Sequence, residues 1–169
     1  HKLSLVRNSA CMDNLAVLRS MTKIISIPGL RLGYITANPD LSAKLRNIKI
    51  PWSVNTAALE AGKAGIDCRQ FFKQTAEFVK NEKRRIFEEL SNVKSIQLIP
   101  SSTNYILADI TGTDLTSTQV QKKLLTEQRI LVRDCNTFSG IGNKCIRMAV
   151  KQKQENTRLI KAIMLCLTD

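Results

Sequence analysis

The sequence predicts an α/β protein, and three observations support that class. Two short apolar runs, over residues 15–18 and 32–37, read as parallel-sheet strands buried on both faces, because their hydrophobicity is continuous rather than alternating. Residues 69–90 place apolar side chains at helical spacing, and residues 94–169 alternate strand-like with helix-like segments. The expected division is a sheet-bearing portion over residues 1–67, a connecting helix within 68–93 and a smaller α/β domain over 94–169. At 169 residues the chain is long enough to bury one sizeable core.

The elements follow in order. The first strand ends in a loop at Ser20, and the second is bounded by Gly29 and Pro39. Asp40 is placed to cap a helix running to residue 49, since a short acidic side chain accepts from the first unpaired N–H groups. Pro51-Trp52-Ser53-Val54-Asn55-Thr56 interrupts the pattern before another helix through residue 64, because proline lacks the N–H that a helix interior uses. Phe72, Ala76, Val79, Ile86 and Leu90 then recur among charged neighbours, which predicts one long amphipathic helix. Strands are expected over 95–99, 105–109, 130–133 and 145–150, and helices over 116–128 and 155–167, the last with Leu159, Ile163 and Leu167 on one face.

Chemistry concentrates in Ser20-Met21-Thr22-Lys23, followed by Arg31 inside Pro28-Gly29-Leu30-Arg31-Leu32-Gly33-Tyr34. A lysine at a strand end, with hydroxyls before it and an arginine held between glycines after it, suits a cofactor that is both an aldehyde and a phosphate. The amine must be positioned and partly deprotonated to attack the aldehyde, which burial near other cations favours. The phosphate calls for hydroxyl donors and a planar guanidinium, the roles expected of Ser20 and Arg31. Gly29 and Gly33 are expected to let the backbone turn sharply and approach a ligand. Later in the chain, Arg147 lies in the apolar strand Cys145-Ile146-Arg147-Met148-Ala149-Val150, on the face opposite Ile146, Met148 and Val150. Arg133 ends Ile130-Leu131-Val132-Arg133. Each arginine needs an anionic partner, either a ligand or an internal carboxylate such as Asp134 or Asp109.

The string from Leu18 to Lys23 together with Ile27 to Tyr34 resembles the cofactor-lysine region of fold-type-I aminotransferases, in the branch that holds histidinol-phosphate aminotransferases and threonine-phosphate decarboxylases. The segments from Gln128 to Cys135, Gly140-Ile141-Gly142, Ile146 to Val150 with Glu155-Asn156, and Ile50-Pro51-Trp52-Ser53-Val54-Asn55 resemble the decarboxylase side of that branch, and the likeness covers nearly the whole chain. The resemblance implies pyridoxal 5'-phosphate as cofactor and Lys23 as the catalytic lysine, with Ser20, Lys23 and Arg31 binding the cofactor. It further implies that Arg147 holds the substrate carboxylate and Arg133 its phosphate. The implied activity is decarboxylation of L-threonine-O-3-phosphate to aminopropanol phosphate for cobalamin assembly. A histidinol-phosphate-type aminotransferase and a non-catalytic basic module are the alternatives. In that family a long stretch carrying an aspartate for the pyridine nitrogen precedes the lysine, whereas here Lys23 lies 22 residues from His1. The chain is therefore expected to be the C-terminal portion of a longer, homodimeric enzyme and inactive when isolated.

Lysine and arginine number 26 against 14 acidic residues, a formal charge of +12. Nucleic-acid binders share such a balance, but here the cations sit beside acids, as in Lys80-Asn81-Glu82-Lys83-Arg84-Arg85, without interleaved aromatics. Solvated helix faces are the expected explanation, with a phosphorylated cofactor, a phosphorylated amino-acid substrate and an acidic missing half accounting for part of the excess, so neither a nucleic-acid nor a membrane partner is expected. Five cysteines, an odd number without Cys-x-x-Cys spacing, suit a reducing cytoplasm. With His1 the single histidine, no metal site is expected.

Overall fold

The computed structural model describes residues 4–167, which divide into two compact units, one up to Thr75 and one from Ala76 onward. The dividing point falls inside a long helix.

In the first unit, β1 (Val17–Ser20) pairs with β2 (Gly33–Thr36) in antiparallel register, from Val17 opposite Thr36 to Ser20 opposite Gly33. This corrects the parallel, buried strands expected from the apolar runs. A parallel pair needs a crossover, usually helical, whereas the connection here contains only turns and the short 3-10 segment Pro28–Leu30. The strands are also not covered within the described residues: Leu18 is 74% and Ile35 49% exposed. Helix α1 (Pro39–Asn47) is capped by Asn38, whose side chain accepts from the Leu41 N–H at 2.8 Å, and not by Asp40. Proline explains the shift of two residues: Pro39 has no N–H to satisfy and its fixed φ suits the first helical residue, leaving Asn38 as the cap. Helix α2 (Thr56–Ile66) starts on the Asn55 side chain in the same way, accepting from Ala58 N–H at 2.8 Å.

Helix α3 (Arg69–Leu90) has the limits that its apolar spacing predicts. Its later turns bury Glu82, Ile86 and Leu90 in the second unit. That unit holds a four-stranded antiparallel sheet of order β3-β4-β6-β5, made of β3 (Gln97–Ile99), β4 (Tyr105–Asp109), β5 (Arg133–Asp134) and β6 (Cys145–Ala149). Ile106, Ala108, Ile146 and Met148 share one face of it. They pack against Val120 and Leu124 of α4 (Ser117–Gln128), Leu159, Ile160 and Ile163 of α5 (Lys153–Leu167), and Ile86 and Leu90 of α3. Burial of these aliphatic side chains, each worth about 1.5–3 kcal/mol, is the main stabilising contribution.

Strand β5 is shorter than the 130–133 segment expected and begins where that segment was expected to end. The Ile130 N–H donates to Leu124 O at 3.0 Å, closing the end of α4 through Arg129 in the left-handed region, and the Val132 carbonyl accepts from the Gln121 side chain at 2.8 Å. Those backbone groups are taken up by the helix before a ladder can form. Thr116 and Gln119 make a reciprocal capping box at the other end of α4.

Candidate active site

The sequence-predicted groups fall into two clusters, one in each unit. In the first, β1 ends at Ser20 and the Met21 N–H extends the hairpin ladder to Leu32 O at 3.0 Å. The chain then turns, with Ile25 N–H on Met21 O and Ser26 N–H on Lys23 O. Thr22 is 3% exposed and is the hub of the turn: its Oγ1 accepts from Lys23 Nζ at 3.0 Å and lies 2.9 Å from Ser20 Oγ. Lys23 itself is exposed among the described residues. Thr22 is the group that sequence reasoning left out of the site; a hydroxyl immediately before the lysine was the signal.

Arg31 lies in the same connection, with its guanidinium Nη1 donating to Pro28 O at 3.2 Å and its remaining donors open to solvent. It occupies the left-handed region, φ 57° and ψ 54°, which costs a non-glycine residue energy and is concentrated at functional sites. The flanking glycines do not share that conformation. A Cβ at Gly29 would meet nothing within 4 Å, while one at Gly33 would come within 2.9 Å of the Arg19 carbonyl oxygen. Gly33 is thus required for strand pairing, and Gly29 is not required by the described residues; neither glycine adopts a positive φ.

The second cluster lies on the sheet face opposite the core. Arg133 and Arg147 are direct cross-strand partners in the β5–β6 register. Arg147 Cζ sits 4.4 Å from the centre of the Tyr105 ring, and Arg133 Cζ 5.4 Å from that of Phe138. Arg133 also donates to Thr137 Oγ1 at 3.1 Å. Among the described residues neither arginine makes an ion pair. Asp134 is turned away from that role: it accepts from the Ser117 and Thr118 hydroxyls at 2.7 and 2.6 Å and from the Asn136 N–H at 2.9 Å. Burial pushes the Asp134 carboxyl up, but the Thr118, Asn136 and Ser117 donors and the Arg133 charge together hold it below the usual carboxylate range. Asp109, the other internal candidate, accepts from the Thr111 N–H instead. Burial raises the thiols of Cys135 and Cys145 above the ordinary cysteine range, with Arg147 opposing that effect at Cys135, so neither is an activated nucleophile.

Among the described residues no group of three His, Cys, Asp or Glu side chains could hold a metal ion, and no helix is long and apolar enough to cross a membrane.

The chain has counterparts among known proteins. Residues 4–163 match the Aminotransferase class I and II family, and the chain belongs to it. It is 35% identical to the threonine-phosphate decarboxylase of Salmonella typhimurium over 153 residues, covering 90% of this chain and 41% of that protein. The histidinol-phosphate aminotransferase structure from Clostridium acetobutylicum superposes with a TM-score of 0.84 at 27% identity, over 97% of this chain and 48% of that one. The L-threonine-O-3-phosphate decarboxylase structure from Porphyromonas gingivalis gives 0.83 at 27% identity, over 97% and 50%. The chain thus spans half or less of the length of these relatives.

Proposed function

We propose that this chain is the lysine-bearing, C-terminal portion of a pyridoxal-phosphate-dependent L-threonine-O-3-phosphate decarboxylase, a cytoplasmic homodimer that yields aminopropanol phosphate for cobalamin assembly. In this reading residues 1–67 belong to the cofactor-binding domain, 68–93 form the connecting helix and 94–169 the small domain. The observation that carries it is the pair Arg133 and Arg147 on one sheet face, neither of which makes an ion pair with a carboxylate among the described residues. A substrate with a carboxylate at one end and a phosphate at the other supplies two anions for two such cations.

Pyridoxal phosphate is the cofactor of the family, and the donor set of the first cluster fits it: a lysine amine, two hydroxyls and an arginine whose outward N–H groups are unoccupied. When bound, the cofactor supplies an aldehyde for an amine and a ring that accepts electrons from the substrate Cα. With the cofactor bound, Thr22 would fix where the Lys23 amine stands, Ser20 and Arg31 would hold the phosphate, and Lys23 Nζ would be the proton donor to Cα that replaces the departing carbon dioxide. Arg147 on the carboxylate and Arg133 on the phosphate together set which Cα bond breaks. A small reorientation would align the Cα–H bond instead, so histidinol-phosphate-type amino transfer is the second reading, favoured by the likeness to the Clostridium acetobutylicum aminotransferase.

The holoenzyme should convert O-phosphothreonine to carbon dioxide and aminopropanol phosphate, and Lys23→Ala should abolish turnover together with borohydride fixation of the cofactor. Arg133→Ala should weaken O-phosphothreonine by about 2–5 kcal/mol while sparing threonine, whereas Arg147→Ala should impair both. Keto-acid-dependent turnover of histidinol phosphate with none of O-phosphothreonine would select the second reading, and borohydride fixation at a different lysine would overturn both.

A further inference from the structure

Arginines in the second unit fall into two kinds. Arg85 has its donors occupied: Nε and Nη2 on Glu82, Nη1 on Glu89 and Thr157, and Nη2 also on Lys153 O. Arg133 and Arg147 do not. Among the described residues Arg147 makes no side-chain hydrogen bond and Arg133 makes one, to Thr137. Two like charges directly opposite on neighbouring strands repel.

Aromatic rings take the place of carboxylates. Tyr105 lies two residues before Leu107, the residue opposite Arg147 on β4, and so presents its ring on the same sheet face, 4.4 Å from Arg147 Cζ. The Phe138 ring is shared, 5.4 Å from Arg133 Cζ and 6.0 Å from Arg147 Cζ. A ring face attracts a guanidinium through its quadrupole without using any of the in-plane N–H groups, so it fixes the group while leaving its donors free for a ligand. Phe138 is itself held by its backbone, with its N–H on Cys135 O at 2.9 Å and its carbonyl accepting from the Ile141 N–H at 3.3 Å. The neighbouring Thr137 hydroxyl accepts from Arg133.

We propose that Phe138 is the positioning residue that couples the two anion-binding arginines, and that Tyr105 positions Arg147 alone. The proposal rests on the reading of Arg133 and Arg147 as the substrate's anion holders. It predicts an asymmetry: loss of Phe138 disturbs both guanidinium groups, loss of Tyr105 only one. A ring that merely filled space would show no such division.

The test uses the isotopically labelled holoenzyme. The ring-current displacement of the Arg133 and Arg147 side-chain resonances is measured by NMR, and O-phosphothreonine, threonine and inorganic phosphate are titrated as probes. Phe138→Leu should abolish the displacement at Arg133, reduce it at Arg147, where the Tyr105 ring remains, and weaken O-phosphothreonine by about 5–30-fold. Tyr105→Leu should reduce it at Arg147 only, weakening threonine and O-phosphothreonine while leaving inorganic phosphate unchanged. Phe138→Tyr keeps the ring and should restore both signals and affinity, separating positioning from misfolding. Phe138→Leu altering one arginine or neither, or Tyr105→Leu altering both, would overturn the proposal. If Arg133→Ala and Arg147→Ala leave O-phosphothreonine binding to the holoenzyme unchanged, the anion-holder reading fails and the positioning role falls with it. A ring-current failure with intact arginine dependence removes the positioning role alone.

Discussion

Glu82→Gln probes the polar junction inside the second unit. Glu82 is 7% exposed and accepts from Arg85 Nε at 3.2 Å, Arg85 Nη2 at 2.7 Å and Asn156 Nδ2 at 2.8 Å. Asn156, 1% exposed, also joins both backbone groups of Lys151, so the cluster ties α3 to the start of α5. Glutamine keeps the shape but replaces one acceptor oxygen by an NH2 group that faces donors. Breaking a buried pair costs about 3–5 kcal/mol. Here Arg85 is 22% exposed and retains Glu89, so about 2–3 kcal/mol is expected. The hydrogen bond from Arg85 lowers the Glu82 carboxyl, burial opposes it, and the bond from Asn156 adds to the lowering, so its folded value lies below the ordinary 4.5. A depressed folded value means that the carboxylate stabilises the fold fully above the ordinary value and loses that effect as pH falls through the folded one. Urea denaturation followed by circular dichroism should therefore show the full difference between Glu82→Gln and wild type at pH 7 and a shrinking one in acid. An equal difference at both extremes, or none at pH 7, would refute the assignment.

Two further outcomes follow from the first unit. Gly33→Ala forces a Cβ to within 2.9 Å of the Arg19 carbonyl oxygen, which cannot retreat without breaking the hairpin, so a loss of about 1–3 kcal/mol is expected; unchanged hydrogen exchange at the Met21 amide would contradict it. The groove lined by Leu18, Tyr34, Ile35, Leu45, Ile48 and Val54 should make the isolated chain self-associate with rising concentration. Sedimentation should show that the paired change Leu18→Lys with Ile35→Glu suppresses this; association that persists undiminished would place the sticky surface elsewhere.

The sequence by itself determined the α/β class, the limits of α3 and β4, and the proximity of Ser20 to Lys23, because each depends on periodicity or on neighbours within a few residues. Apolar spacing at 3.6 residues survives any tertiary context when a helix is long enough, as Phe72 through Leu90 illustrate. Strand direction did not follow from composition: the apolar runs at 15–18 and 32–37 carry no record of their relative sense, and the short, helix-free connection decided an antiparallel pair. The cap at Asn38 rather than Asp40 and the late start of β5 were settled by competition for single backbone N–H and carbonyl groups, which only the folded path reveals. The same holds for the second cluster. Alternation along β6 was enough to place Arg147 opposite Ile146 and Met148, but that Phe138 meets both arginines, and that Asp134 turns instead to Ser117 and Thr118, depends on contacts that no local pattern encodes. Short-range order is a property of the chain; the partner of a buried or stacked side chain is a property of the fold.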